Sequence, residues 1–159
     1  MNSRIGIGYD VHRLEKGRSF VLGGITIPHE KGPLGHSDGD VLIHAICDAM
    51  LGALALGDIG KQFPDTEEEF RDIDSKILLE KTVNMIRFYG YEVSNIDSTV
   101  CLQKPKIAEY VPQMVRTLSD VLHIDAHQVS IKATTTERLG FVGEELGVSA
   151  YAVVLLMLS

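Results

Sequence analysis

The pattern of apolar and polar residues along this chain predicts strands and helices that alternate. Segments with a period of two, or short apolar runs, predict strands, and apolar residues three and four positions apart predict helices. The predicted strands cover residues 4–12, 95–103, 128–136 and 148–158. Residues 19–28 predict a hairpin-like pair of strands that turns at Gly23 and Gly24 and stops at Pro28.

Three helices are predicted between these strands, over residues 37–58, 74–90 and 107–122. The first is apolar on nearly every face, so we expect it to be buried, with Ser37 or Asp38 as its N-cap. Loops are predicted around Gly32, Pro33 and Gly35 and over residues 61–72, with a short helix or a loop over residues 137–147. The pattern predicts one domain over residues 1–159, an α/β sandwich whose mixed sheet has helices packed on one face.

Composition and charge argue against two classes of partner. The chain has a net charge of −7 and no run of more than two Lys or Arg, so we expect no nucleic-acid binding. The longest apolar stretch, residues 150–158, is far shorter than the ~20 residues that span a bilayer, so no membrane insertion is expected. The sequence shows neither a signal-peptide pattern nor a transit peptide, which predicts a cytoplasmic, bacterial protein.

Five polar side chains interrupt apolar elements and could meet at one place. Asp10 and His12 face the same side of the first predicted strand. Asp40, His44 and Asp48 share one face of the first predicted helix. Asp10, His12 and His44 together would suit Zn²⁺ with an open fourth position, and Asp40 or Asp48 could orient an imidazole or add a ligand. The spacing is equally compatible with an ordinary surface or capping pair.

Two further stretches carry groups that suit phosphate or metal ions. His36 and Ser37 lie near a helix N-terminus, where free N–H groups favour an anion, and a simple N-cap is the alternative. The stretch KATTTERLGF places three threonine hydroxyls and Glu137 after a strand, which suits phosphate oxygens and Mg²⁺. A capping box from Thr134 to Glu137 explains the same residues. The polar residues 58–67 predict a flexible lid.

Four stretches of the sequence resemble one enzyme family. YDVH, HSDGDVLIHAICDAMLGALALGDIGKQFPDT, QKPKI and KATTTERLGFVG are similar to the 2-C-methyl-D-erythritol 2,4-cyclodiphosphate synthase family, and the resemblance runs from about Arg4 to the C-terminus. It implies conversion of 4-diphosphocytidyl-2-C-methyl-D-erythritol 2-phosphate to 2-C-methyl-D-erythritol 2,4-cyclodiphosphate and CMP, in the non-mevalonate isoprenoid pathway. It also implies a homotrimer with active sites at the subunit interfaces.

The resemblance also implies roles for individual residues. Asp10, His12 and His44 match the Zn²⁺ ligands, and Glu137 matches the ligand of a second cation, Mg²⁺ or Mn²⁺. His36 and Thr135 match positions that stabilise the transition state. The implied substrate-binding residues are Asp10, His12, His36, Ser37, Asp58, Ile59, Gly60, Phe63, Pro64, Asp65, Thr66, Glu67, Leu102, Gln103, Lys104, Pro105, Lys106, Ile107, Ala108, Ala133, Thr134, Thr135, Thr136, Glu137 and Phe141.

Two positions depart from the family pattern. Glu144 stands where many members carry an Arg that faces a cavity on the trimer axis, so we expect isoprenoid diphosphates to bind there poorly or not at all. The lid ends in Glu67 instead of the commoner Asp, and we expect Glu67 to keep the substrate-binding role of that Asp. Two other functions stay open from the residues alone: a metal-dependent phosphohydrolase and a non-catalytic trimer stabilised by metal.

Overall fold

A five-stranded mixed sheet forms the framework of the computed structural model, which describes residues 2–159. The strands are β1 Ser3–Lys16, β2 Phe20–Leu22, β3 Ile25–Ile27, β4 Lys31–Leu34, β5 Tyr91–Cys101, β6 Val129–Thr134 and β7 Gly147–Leu158. The helices are α1 Val41–Ala53, α2 Ile59–Gln62, α3 Ser75–Phe88, α4 Val111–Leu122 and α5 Gly140–Gly143, with short 3₁₀ turns at Glu68–Phe70, Ala108–Tyr110 and Ala126–Gln128.

The large sheet has the strand order β4-β1-β7-β5-β6, and β2 pairs with β3 in a separate hairpin. Only β5 and β6 run parallel among the described strands, and the other neighbours are antiparallel. This confirms the predicted mixed sheet, and the hairpin turns at Gly23 and Gly24 as expected. No helix within residues 2–159 is long and apolar enough to cross a membrane.

Several of the predicted boundaries are wrong: the first helix ends at Ala53 instead of residue 58, and the first strand runs on to Lys16. Three further differences have a clear local reason. The stretch around Gly32 and Pro33 forms β4 and pairs with β1, which a proline tolerates because β4 is an edge strand. Helix α1 begins at Val41 with Asp40 as its N-cap, since Gly39 has a φ of +74° and cannot continue a helix backwards. The polar stretch 61–72 contains the end of α2 and a 3₁₀ turn instead of a continuous loop.

Helix α1 lies directly on the sheet, in contact with β1. Eleven of its 13 residues are buried, which confirms the prediction of a buried helix. A Cβ atom added to Gly6 would lie 1.9 Å from the backbone oxygen of Ala49, and one added to Gly8 would lie 1.8 Å from that of Ala45. The two glycines of β1 therefore allow strand and helix backbones to touch.

The opposite face of β1 and β7 is apolar and exposed. Ile5 and Ile7 are 71% and 70% exposed, and Tyr9, Val11 and Tyr151 are each more than 40% exposed on the same face. The rings of Tyr9 and Tyr151 pack on one another with centroids 4.8 Å apart. A contiguous group of exposed apolar side chains on one sheet face is typical of a protein–protein interface.

We expect Gly8→Ala to destabilise the fold by about 3 kcal/mol, because the added methyl group collides with backbone that cannot rotate away. Gly52→Ala on the same helix is the control, since its added Cβ finds only the backbone oxygen of Ile7 at 3.9 Å. That substitution should be neutral or stabilising, because alanine favours a helix. Urea unfolding of both variants measures the difference, and equal midpoints would contradict the close-contact explanation.

Candidate functional site

Asp10, His12 and His44 bring three ligand atoms to one point between β1 and α1. His12 Nε2 lies 2.8 Å from Asp10 Oδ2 and 3.1 Å from His44 Nδ1, and His44 Nδ1 lies 3.0 Å from Asp10 Oδ2. Ligands about 2.0–2.1 Å from a tetrahedral ion are about 3.3 Å apart, close to these separations. These residues are the one group of three His, Cys, Asp or Glu in residues 2–159 with metal-binding geometry.

The outer nitrogen of each imidazole has a partner that determines which nitrogen carries the proton. His12 Nδ1 lies 3.0 Å from the carbonyl oxygen of Leu34 and donates to it, which leaves a lone pair on Nε2. His44 Nε2 lies 3.0 Å from the hydroxyl oxygens of both Ser37 and Ser75. With its proton on Nε2, His44 also turns a lone pair toward Asp10. Two nitrogen lone pairs and a carboxylate then converge, which suits a divalent cation.

The electrostatics of the three residues reflect this convergence. Burial raises the pKa of Asp10, but hydrogen bonds from His12 and His44 and the charge of their protonated rings outweigh it and hold the pKa at about 2. Burial lowers the pKa of His44, and the hydrogen bond and negative charge of Asp10 outweigh it, so the net shift is upward. In the absence of metal, protons on the imidazole rings supply the positive charge that a bound cation would bring next to Asp10.

The two other acidic residues on the face of α1 do not partner His44, so that prediction is wrong. Asp40 accepts from the backbone N–H groups of Gly23, Gly24 and Ile43 at 3.0, 2.7 and 3.0 Å, and burial raises its pKa. Asp48 accepts from the N–H of Ile59 at 2.8 Å. Both carboxylates tie loops to α1. A helical spacing of four places side chains on one face without deciding which groups they contact.

Ser75 is one residue of the site that the sequence did not indicate; Phe70, Ile73 and Leu78, which line the cavity, are others. Ser75 is the first residue of α3, completely buried, and its hydroxyl reaches His44 from a helix 31 positions further along the chain. A serine after a helix N-cap is common, so no local signal could have identified it. Ser37 does not cap α1, since Asp40 does, and its Oγ contacts His44. Anion binding by Ser37 stays a prediction.

A cavity of about 310 Å³ opens next to the three ligand residues. The structure brings Ile59, Gly60, Phe63 and Asp65 of the predicted lid to this cavity. His36 at its wall donates from Nε2 to the backbone oxygen of Asp65 at 2.8 Å. The rings of Phe63 and Phe70 pack edge to face at the same place, 5.5 Å apart. The predicted residues that line the cavity are Asp10, His12, His36, Ser37, His44, Ile59, Gly60, Phe63 and Asp65.

A second group of the predicted residues lies elsewhere on the chain, where β5 and β6 end side by side. Asp58, Pro64, Thr66 and Glu67 stay with the lid around α2. Leu102 N donates to Thr134 O at 3.0 Å, and Arg138 N donates to Gln103 Oε1 at 3.3 Å, so residues 102–108 and 133–137 form one cluster. Thr134 caps no helix there, which removes the capping-box alternative.

Within that cluster the side chains differ in exposure. Those of Leu102 and Ile107 are buried in the core, whereas Lys106, Thr135 and Glu137 are exposed. A ligand at the cluster could therefore meet the last three side chains, but only the backbone of the first two.

Strand pairing gives the separation of the two groups within one chain. Val11 pairs with Ser149, Ser149 with Cys101, and Cys101 with Thr134. Three strand spacings of about 4.8 Å place Thr134 about 14 Å from β1 along the sheet. Phe141 lies apart from this cluster, beside Gly147 and the end of β1, where it lines a second cavity with Val11 and His12.

Comparison with known proteins identifies the family. The sequence profile of the YgbB family matches residues 3–157. The chain belongs to the YgbB family. One member of known name, the 2-C-methyl-D-erythritol 2,4-cyclodiphosphate synthase of Bacteroides fragilis, is 56% identical over 156 residues, 98% of this chain and 98% of the relative.

Solved structures of related proteins share the fold. The bifunctional IspDF from Campylobacter jejuni matches with a TM-score of 0.95 at 39% identity, over 99% of this chain and 42% of that longer chain. IspF from Plasmodium falciparum, solved as a CDP complex, matches with a TM-score of 0.87 at 36% identity, over 99% of this chain and 97% of the other. The YgbB fold therefore extends over essentially all of this chain.

The low pKa of Asp10 predicts an acid dependence of stability in metal-free protein. Ionised Asp10 stabilises the fold fully above its unfolded pKa of about 3.9, and this contribution of about 2 kcal/mol is lost as the pH falls through about 2. Urea unfolding of wild type and Asp10→Asn in a chelator should therefore differ increasingly from pH 2 to pH 4 and then level off. A difference that stays constant over this range would contradict the ion-pair explanation.

Proposed function

We propose that this chain acts as a 2-C-methyl-D-erythritol 2,4-cyclodiphosphate synthase of non-mevalonate isoprenoid biosynthesis. It converts 4-diphosphocytidyl-2-C-methyl-D-erythritol 2-phosphate to the cyclic 2,4-diphosphate with release of CMP. The observation that carries the proposal is the convergence of Asp10, His12 and His44 at a cavity, in a chain 56% identical over 98% of its length to a relative of that name.

The reaction requires positioning rather than a protein nucleophile. An oxygen of the substrate's own 2-phosphate attacks the β-phosphorus, the bond from that phosphorus to the α-phosphate oxygen breaks, and CMP leaves with the electron pair. Holding the two phosphates in line can lower the barrier by ~7–11 kcal/mol. No Ser or Cys needs activation, which accords with the buried Cys47, whose pKa burial raises to about 12.

Asp10, His12 and His44 would hold Zn²⁺, and Glu137 would hold a second cation, Mg²⁺ or Mn²⁺, together with substrate phosphates. Such cations offset the repulsion between phosphate groups and stabilise the charge that develops on the leaving CMP. His36 lies at the wall of the cavity, where it can donate to a phosphate oxygen by exchanging its present acceptor, the backbone oxygen of Asp65. The loop of residues 58–67 would enclose the erythritol part. Thr135, in the second cluster, would also donate a hydrogen bond to a phosphate oxygen.

Residues 102–108, with Lys106, and 133–137 form the cytidine and phosphate pocket. The IspF of Plasmodium falciparum was solved with CDP, a ligand with the nucleotide part that this pocket would receive. Lys106, Thr134 and Thr135 are exposed, as a phosphate-binding surface requires. A net charge of −7 does not prevent phosphate binding, because cations and local N–H groups set the charge at the site.

A homotrimer with active sites between subunits would unite the two groups of residues. On one chain the metal ligands and Thr134 are about 14 Å apart along the sheet. The exposed apolar face of β1 and β7 supplies the surface that such an assembly would bury.

Two further expectations stay predictions. One is a bacterial cytoplasmic location. The other is weak binding of isoprenoid diphosphates, which the carboxylate of Glu144, exposed at the end of α5, would repel.

The first test follows phosphorus by ³¹P NMR in a mixture of protein, cytidylyl substrate, Zn²⁺ and Mg²⁺. We expect two mutually coupled resonances of a cyclic diphosphate and an equal amount of CMP. CMP with an uncyclised 2,4-bisphosphate, whose two monoester phosphates are not coupled to each other, would indicate a phosphohydrolase instead. An unchanged spectrum would indicate a non-catalytic protein.

Replacement of a metal ligand should abolish this turnover. We expect the rate of His44→Ala to fall at least about 100-fold. The variant lacks one ligand of the cation, and with the cation it loses the positive charge that offsets the phosphates. His127→Ala, which alters an exposed histidine outside the site, is the control and should keep the wild-type rate. Equal rates for the two variants would contradict the metal site.

Ile7→Asp should convert the trimer into smaller species, because it places a charge in the middle of the apolar face. Ile77→Asp, on the outer surface of α3, is the matched control and should remain trimeric. Size-exclusion chromatography with light scattering measures both masses. A monomeric wild type, or a trimeric Ile7→Asp, would contradict the proposed interface.

A further inference from the structure

We infer that Asp38 is a positioning residue of the metal site and that it acts on His44 through the hydroxyl of Ser75. The inference rests on the proposed metal binding by His44. Asp38 is outside the group of ligands, and its carboxylate reaches the imidazole only through the serine. Its role would be to fix which ring nitrogen of His44 carries the proton, and thereby to leave the other nitrogen available to the metal.

Asp38 is held in place by three donors. Its Oδ1 accepts from Ser75 Oγ at 2.5 Å and from the N–H of Asp40 at 3.0 Å, and its Oδ2 accepts from the N–H of Ser75 at 2.9 Å. The carboxylate therefore joins the segment before α1 to the first residue of α3. This fixes the position of the Ser75 hydroxyl from both its backbone and its side chain.

The proton count then decides the state of His44. Ser75 has one hydroxyl proton, and an ionised carboxylate can only accept, so that proton lies between Ser75 and Asp38. The serine oxygen can therefore only accept from His44 Nε2, 3.0 Å away. Whenever the ring is neutral, Nε2 must therefore carry its proton, and Nδ1 has a lone pair 3.0 Å from Asp10 Oδ2 and 3.1 Å from His12 Nε2. The second proton of the charged ring, which Nδ1 donates to Asp10 in metal-free protein, is the one that a metal would replace.

Ser37 cannot make this choice alone. Its Oγ also lies 3.0 Å from His44 Nε2 and accepts weakly from the N–H of Gly39 at 3.4 Å. Its own proton is not committed to a carboxylate, so the hydroxyl can either accept from the ring or donate to it. Ser75 is completely buried and His44 only 6% exposed, which strengthens the hydrogen bonds of this relay.

Metal affinity tests the inference directly. Zn²⁺ dissociation constants come from competition with a chromophoric chelator, for wild type, Asp38→Asn, Ser75→Ala and Ser37→Ala. An amide at position 38 must direct an N–H group either at the N–H of Ser75 or at the Ser75 hydroxyl and the N–H of Asp40, so Ser75 is no longer fixed from both its backbone and its side chain. We expect a 10- to 100-fold loss of affinity for Asp38→Asn and Ser75→Ala, within the range typical of groups that orient metal ligands, and a smaller loss for Ser37→Ala.

Asp74→Ala is the matched control for the two relay variants. Asp74 caps α3 one residue before Ser75, by accepting from the N–H of Lys76 at 2.9 Å, and has no contact with His44. Its removal should weaken the helix terminus but leave the Zn²⁺ affinity at the wild-type value. Circular dichroism and thermal melting show that each variant is folded before its affinity is measured.

The ring proton gives a second readout that needs neither metal nor substrate. In ¹⁵N-labelled, metal-free protein at alkaline pH, long-range ¹H–¹⁵N correlation should place the His44 proton on Nε2 in wild type. Asp38→Asn and Ser75→Ala should show a mixture of the two forms. A proton on Nδ1 in wild type, or an Asp38→Asn affinity equal to that of Asp74→Ala, would overturn the inference.

These outcomes separate the inference from the proposed function. Zn²⁺ binding that weakens in the relay variants, with no cyclic product in the ³¹P spectrum, would support the relay and contradict the reaction. Cyclic product with equal Zn²⁺ affinities would support the reaction and overturn the relay. A wild type that binds no Zn²⁺ would overturn both the metal site and the role of Asp38.

Discussion

The contact between β1 and α1 is the constraint on which the rest of the structure depends. Gly6 and Gly8 allow the strand backbone to touch the helix backbone at Ala49 and Ala45. Asp10 and His12 follow on the same face of the strand, and His44 is the neighbour of Ala45 on the helix. Side chains as short as aspartate and histidine can meet at about 3 Å only if their backbones are this close.

Three carboxylates, one buried (Asp40) and two half-buried (Asp38 and Asp48), then hold the helix in place from three directions. Asp40 binds the hairpin turn, Asp48 binds the first residue of α2, and Asp38, just before α1, binds α3. Burying a carboxylate is unfavourable unless several donors satisfy it, and each of these accepts from at least one backbone N–H. The donors belong to the hairpin turn, α2 and α3, so the hydrogen bonds that satisfy the carboxylates also position the cavity wall and the loop of residues 58–67.

The sequence could predict what depends on periodicity but not what depends on tertiary contact. The order of strands and helices and the set of Asp10, His12 and His44 were predictable, since spacings of two and four determine shared faces. The partner of His44 was not, because Ser75 comes from another helix. Strand β4 was missed because a Gly-Pro pair is a loop signal everywhere except at a sheet edge.

A site divided between two chains would link assembly to catalysis. The cyclisation needs two phosphates of one flexible substrate held in line, so the residues that bind its two ends must keep a fixed distance. Within one chain the sheet fixes that distance at about 14 Å. Across a trimer interface it would be fixed by packing of the apolar face of β1 and β7. Burial of that face would then stabilise the trimer and, by the same contacts, set the geometry for attack on phosphorus.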